Sequence, residues 1–251
     1  MMVAATKVRT TVIYETRGKA KEYCELAANL YRGCGHGCKY CYAPSATYSD
    51  REKFQEASPR VVVIEKLKLD AARLNSPWTK PKTPILLSFT TDPYQPIDCY
   101  HKLTRQAIEI LHCNGLGVQI LTKGGRRAER DFDLLGERDS FGVTLTLLED
   151  RDSLEWEPYA GLPHERIESL EKAHRFGIKT WVSLEPVIKP KTTLEIIKRT
   201  HKFVDLYKVG VMNYHPIAKT INWQQFAREV LDTLMEFNCK YYLKKDLEKW
   251  L

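Results

Sequence analysis

From Pro84 to the end of the chain, short apolar runs and helical patterns alternate in strict order, and no other feature of the sequence restricts the fold as strongly. ILLSF (85–89) precedes LTRQAIEILHCNG (103–115), GVQILTK (117–123) precedes a polar helix near 126–135, and FGVTLTL (141–147) precedes HERIESLEKAHRFG (164–177). IKTWVSL (178–184), TTLEIIKRTH (192–201), FVDLYKVGV (203–211), WQQFAREVLDTLMEFN (223–238) and YYLKKDL (241–247) continue the series. Short runs rich in Val, Ile, Leu, Phe and Thr suit strands buried on both faces, and the helices between them supply parallel crossovers. With ANLYRG (28–33) as the first strand there are six βα units. Six fall short of the closed eight-stranded barrel, so the expected fold is α/β, a partial (β/α)6 TIM-like barrel with its ligand site at the carboxyl ends of the strands. A chain of 251 residues fits that architecture as a single domain, 1–251. SPWTKPKTP (76–84) and EWEPYAGLPHE (155–165) are the two places where it could break, and both read as proline-rich loops.

Residues 29–44 read NLYRGCGHGCKYCYAP, which puts Cys34, Cys38 and Cys41 within eight positions just after the first predicted strand. The other four cysteines, Cys24, Cys99, Cys113 and Cys239, are scattered, a spacing unlike the disulfide framework of a small secreted domain. A structural zinc site needs four protein ligands, and this cluster has no second pair to complete one. Three thiolates on a four-iron cluster leave one iron open to a small molecule. Gly35 and Gly37 would let the loop wrap a bulky group. His101, His164, His174, His201 and His215 have no mutual ligand spacing, and His36, inside the loop, reads as a solvating residue.

The Cys-x3-Cys-x2-Cys spacing, with Tyr40 before the last cysteine, resembles the radical S-adenosylmethionine superfamily. LLSFTTDPYQPID (86–98), KLTR (102–105), LTKGG (121–125) and WVSLEPV (181–187) are similar to its spore photoproduct lyase branch, also called DNA-repair photolyase-like, over roughly residues 25–245. The resemblance implies a 4Fe-4S cluster on Cys34, Cys38 and Cys41, with S-adenosylmethionine chelating the fourth iron. It implies reductive cleavage of that cofactor to a 5′-deoxyadenosyl radical, which abstracts hydrogen from a substrate, with an external flavodoxin or ferredoxin-like protein as electron donor. Tyr40 would lie near the adenine, and Ser88 and Lys123 would meet the amino and carboxylate groups. Strand position adds Thr144, Ser183 and Glu185 as further cofactor contacts. Tyr42 matches a tyrosine of the lyase assigned to radical relay. The lyase also has a hydrogen-donating cysteine close before the strand-two serine. Here that stretch is Ile85-Leu86-Leu87, so Cys99 is the remaining candidate donor and direct repair of spore photoproduct is not expected.

The formal charge of +7 and a pI near 8.9 make nucleic acid a candidate substrate, although the basic residues form no single run. The competing reading is an iron–sulfur nucleic-acid-binding or redox-sensing protein without adenosyl chemistry. No apolar run is long enough for a membrane span, and MMVAATKVRTTVIYE at the start alternates polar and apolar residues, so the expected location is cytoplasmic with no membrane contact.

Overall fold

The computed structural model describes residues 11–251, so residues 1–10 of the alternating start lie outside the described residues. Among the described residues ten strands form: β1 (Ile13–Glu15), β2 (Leu26–Ala28), β3 (Tyr31–Arg32), β4 (Ser58–Pro59), β5 (Ile85–Leu87), β6 (Val118–Thr122), β7 (Ser140–Thr144), β8 (Lys179–Leu184), β9 (Leu206–Val209) and β10 (Tyr241–Leu243). Eight make one open sheet in the order β1-β2-β5-β6-β7-β8-β9-β10, and every pairing in it is parallel except β1 with β2. Helices 103–113, 163–175, 190–200 and 223–236 and a 3-10 stretch at 125–134 connect the strands as expected. The six units β2 and β5–β9 therefore form, as an α/β partial barrel, and β10 adds a seventh parallel strand.

The structure differs from the sequence reading at the first strand and in elements the periodicity did not show. The predicted first strand ends early, because the Asn29 carboxamide accepts from the backbones of Phe89 (2.9 Å) and Thr90 (3.0 Å) and turns the chain out of the sheet. Tyr31–Arg32 pairs instead with Ser58–Pro59, so Cys34 does not directly follow a strand of the main sheet. The edge strand β1 and helix 63–74 were not foreseen. Buried Asp70 on that helix joins the two by accepting from the backbone amides of Thr11, Val12 and Ile13.

Side chains alternate across each strand, which separates two cores. Ile85, Leu87, Val118, Ile120, Phe141, Val143, Val182 and Leu184 face the helices in the main core. Leu86, Leu121, Trp181 and Leu206 face the lumen, where they pack with Ala27, Tyr23 and Cys24. Trp181 fills this inner space because residue 142 is glycine: a Cβ there would overlap the indole ring. The same alternation carries Ser88, Lys123, Thr144, Ser183 and Glu185 to the inner face at the carboxyl edge.

The open seam of the barrel lies between β1 and β10, and the segment Gly18–Glu22 crosses it. Lys19 pairs with Asp246, and Glu22 accepts from the backbone of Lys245 (2.8 Å) and the hydroxyl of Tyr242 (3.2 Å). Beneath the segment, Lys208 donates to the carbonyls of Glu22 (2.9 Å) and Tyr23 (3.0 Å), with its ammonium over the rings of Tyr23, Trp181 and Tyr242. Burial pulls Lys208 down to about 8. An unfolded lysine titrates near 10.4, so the unfolded chain binds more protons between the two values and this group makes stability rise with pH across that window. Comparing urea unfolding of wild type and Lys208→Met through the window should show the Lys208 contribution, about 2 to 3 kcal/mol, missing from the variant. Equal pH slopes in the two proteins would contradict the burial argument.

Candidate active site

The cysteine loop is shaped by its backbone. Gly33 (φ 71°) and Gly37 (φ 66°) occupy the left-handed region, and a Cβ at Gly33 would lie 2.5 Å from the carbonyl oxygen of Phe54. Gly35, expected to give the loop its freedom, has no positive φ; Gly33 takes that role with Gly37. The Cys34 amide donates to the Phe54 carbonyl (2.7 Å), the Gly35 amide to the buried Gln95 side chain (2.8 Å) and the Cys41 amide to the Cys38 carbonyl (3.1 Å). All three loop cysteines are free thiols of intermediate exposure. Burial raises the Cys34 and Cys38 thiols, the latter to about 12, so metal ligation there would release protons.

The three cysteines line one cavity of about 1090 Å³ together with Tyr40, Tyr42, Ser88, Lys123, Thr144, Ser183 and Glu185. Every predicted site residue except Cys99 is therefore brought together. Cys99 is exposed on the short helix 98–101 and does not line the cavity, because the chain after β5 turns away through Pro96 before reaching it.

Two groups in the cavity are poised for a ligand. The Ser88 hydroxyl is buried without a hydrogen-bond partner among the described residues, a costly arrangement unless something else fills the site. The Lys123 ammonium pairs with no carboxylate among the described residues and lies 5.5 Å from the centre of the Tyr40 ring. Burial works against its charge, but Cys38 and Glu157 outweigh that and hold its pKa above the ordinary lysine value. Asp92 serves the turn at this edge, accepting from the amides of Tyr94 (2.8 Å) and Lys123 (2.7 Å) and the Thr122 hydroxyl (2.6 Å).

Under the loop is a group that the sequence did not reveal. Glu157 and Arg166 form a fully buried ion pair at 2.5 Å, with Arg166 also donating to the carbonyls of Gly161 and Thr144. Glu157 accepts from the Tyr40 hydroxyl and from Thr146, which fixes the Tyr40 ring against the cavity. Burial alone would raise the Glu157 carboxyl, but Arg166 and Lys123 bring it below its usual value. Its position in an apparently ordinary proline-rich loop gave no signal. His36 is likewise buried rather than solvating, 3.0 Å from Arg127 and 3.5 Å from Asp92, and burial lowers it to about 4.

On the far wall, Tyr23 bonds both Ser183 (2.8 Å) and Glu185 (2.7 Å), and Lys244 donates to Glu185 at 2.5 Å. Glu185 thus faces the cavity with Lys244 already beside it. Tyr42 is partly exposed at the rim and donates to the Phe89 carbonyl (3.2 Å).

Among the described residues, no three His, Cys, Asp or Glu side chains are disposed to hold a single metal ion. Thiolates that each bond a different iron of a cuboidal cluster need not converge as ligands of one ion do. Three free thiols, an unpartnered hydroxyl and an unpaired ammonium around one cavity fit a cluster together with a ligand bearing both amino and carboxylate groups.

The radical SAM superfamily's sequence profile matches residues 28–204. The chain belongs to the radical SAM superfamily. It is 30% identical over 188 residues to an uncharacterised protein of Methanocaldococcus jannaschii, covering 74% of this chain and 69% of that one. An uncharacterised protein of Acidianus two-tailed virus is 27% identical over 208 residues, 78% of this chain and 68% of the viral one. Among solved structures, a spore photoproduct lyase variant with bound AdoMet and dinucleoside spore photoproduct superposes with a TM-score of 0.68 at 14% identity, covering 88% and 76% of the two chains. Streptococcus suis SuiB bound to S-adenosylmethionine gives 0.61 at 12% identity, covering 86% of this chain and 49% of SuiB. Both likenesses are of fold. Radical SAM proteins are enzymes that bind a 4Fe-4S cluster and S-adenosylmethionine and need an electron donor, and this chain is one of them. No helix among the described residues is long and apolar enough to cross a membrane.

Proposed function

We propose that this radical SAM enzyme holds its cluster on Cys34, Cys38 and Cys41, which with S-adenosylmethionine supplies a 5′-deoxyadenosyl radical that takes hydrogen from a substrate in the same cavity. The observation that carries the reading is the shared cavity, in which the unpartnered Ser88 hydroxyl and the unpaired Lys123 ammonium accompany the three thiols. In this reading Lys123 pairs with the cofactor carboxylate, Ser88 accepts from its ammonium, and Tyr40, fixed by Glu157, lies beside the adenine. Thr144, Ser183 and Glu185 line the remaining wall toward the ribose and methionine, and Tyr42 at the rim relays the radical. A redox sensor without adenosyl chemistry would need neither Ser88 nor Lys123. S-adenosylmethionine labelled with nitrogen-15 at its amino group tests the reading: the label should couple to the reduced cluster in electron–nuclear double resonance. Absence of coupling at saturating cofactor would contradict it.

The proposed substrate is nucleic acid and the proposed setting cytoplasmic. Arg17 lines the same cavity as Tyr42 and the exposed Tyr214, combining a cation that can pair with phosphate with rings on which bases can stack. Binding of single-stranded oligonucleotides should be detectable by mobility shift and should fall steeply as salt rises, since contacted phosphates release counterions. No shift at about 50 mM salt, where such contacts are strong, would leave a peptide or small-molecule substrate.

A further inference from the structure

One surface element touches the backbone of all three cysteines. The helix Arg51–Gln55, started by the Asp50 carboxylate accepting from the amides of Glu52 (2.8 Å) and Lys53 (3.3 Å), lies against the outside of the loop. Its Phe54 carbonyl receives the Cys34 amide at 2.7 Å. Its Arg51 guanidinium donates one nitrogen to the Cys38 carbonyl and another to the Cys41 carbonyl, each at 3.1 Å. Among the described residues Arg51 pairs with no carboxylate, so its charge is not neutralised by a partner.

We propose that Arg51 is a positioning residue of the iron–sulfur site: it clamps the cysteine loop from outside and its positive charge favours the reduced cluster. This rests on Cys34, Cys38 and Cys41 being the cluster ligands. A planar guanidinium can bridge two carbonyls with its fork, which a lysine ammonium on a flexible stem does less well. The bridge spans Cys38 to Cys41, the part of the loop that carries two of the three thiolates. One-electron reduction adds a negative charge to the cluster, and a fixed cation bonded to two ligand carbonyls stabilises that charge. Arg51 is exposed, so salt weakens the effect.

The test compares reconstituted wild type with Arg51→Gln and Arg51→Lys, using iron content, the rate of cluster stripping by a chelator, and the midpoint potential from EPR-monitored titration. Arg51→Gln should lose its cluster about fivefold faster or more, because the clamp is gone. Its midpoint should fall by roughly a threefold to tenfold change in the oxidised-to-reduced ratio, tenfold being 59 mV for one electron, and the difference should shrink at high salt. Arg51→Lys should recover the midpoint but not the resistance to stripping. A stripping rate or a midpoint in Arg51→Gln equal to that of wild type overturns the inference while leaving the cluster reading intact. Should Arg51→Gln fail to load, the stripping rate of Arg51→Lys decides: faster supports the clamp, equal overturns it. Wild type that takes up no iron overturns the cluster reading and this inference with it.

Discussion

Replacing any one of Cys34, Cys38 or Cys41 with alanine should abolish the bound cluster, while wild type reconstituted without oxygen should hold about four irons per chain. The three positions have no substitute. Cys24 is buried in the inner core, Cys99 and Cys113 are exposed, and none of them nor Cys239 lines the cavity. Their loop is also held at several independent points, by Phe54, Gln95, Trp156 and Arg51, so a neighbouring thiol cannot swing in to fill a gap. Iron and sulfide analysis with the visible absorption of each variant checks this. Full cluster retention in all three would mean that the thiols do not ligate iron.

Lys123→Ala should weaken S-adenosylmethionine binding by about 1.5 to 3 kcal/mol, roughly 10- to 150-fold, the range for a hydrogen bond to a charged group. The ammonium is at the end of β6, already charged and without a carboxylate partner among the described residues, so the ligand's carboxylate displaces no internal ion pair. Iron content should stay the same, because the proposed cluster ligands are Cys34, Cys38 and Cys41. Calorimetry on the cluster-loaded protein measures the change, and unaltered affinity would mean that the carboxylate is bound elsewhere. Glu185 offers a contrast: Lys244 and Tyr23 already engage it, so its removal disturbs that wall before it disturbs the cofactor.

The parts of the fold that could be read from the sequence are those set by period. Strands such as Val118–Thr122 and Lys179–Leu184 are short apolar runs between amphipathic helices, and their boundaries fall within one or two residues of the expected ones. Because side chains alternate, fixing the strands also placed Ser88, Lys123, Thr144 and Ser183 on one face at one edge. What could not be read depends on partners distant in sequence. Asn29 ends β2 because residues 89 and 90 offer it their amides, and nothing around Asn29 announces that. The Glu157–Arg166 pair is invisible for a similar reason: its two charges look solvated until the loop folds beneath Tyr40. Cys99 was placed near the site by its closeness in sequence to β5, but a single turn carried it outward.

The most direct test of the account is cofactor cleavage. Cluster-loaded wild type, reduced with dithionite and given S-adenosylmethionine without substrate, should produce 5′-deoxyadenosine and methionine, measured by chromatography and mass spectrometry against the Cys38→Ala variant treated identically. Wild type should give product well above the trace formed by the variant. Equal traces from the two would contradict it and leave Cys34, Cys38 and Cys41 without a role in radical chemistry.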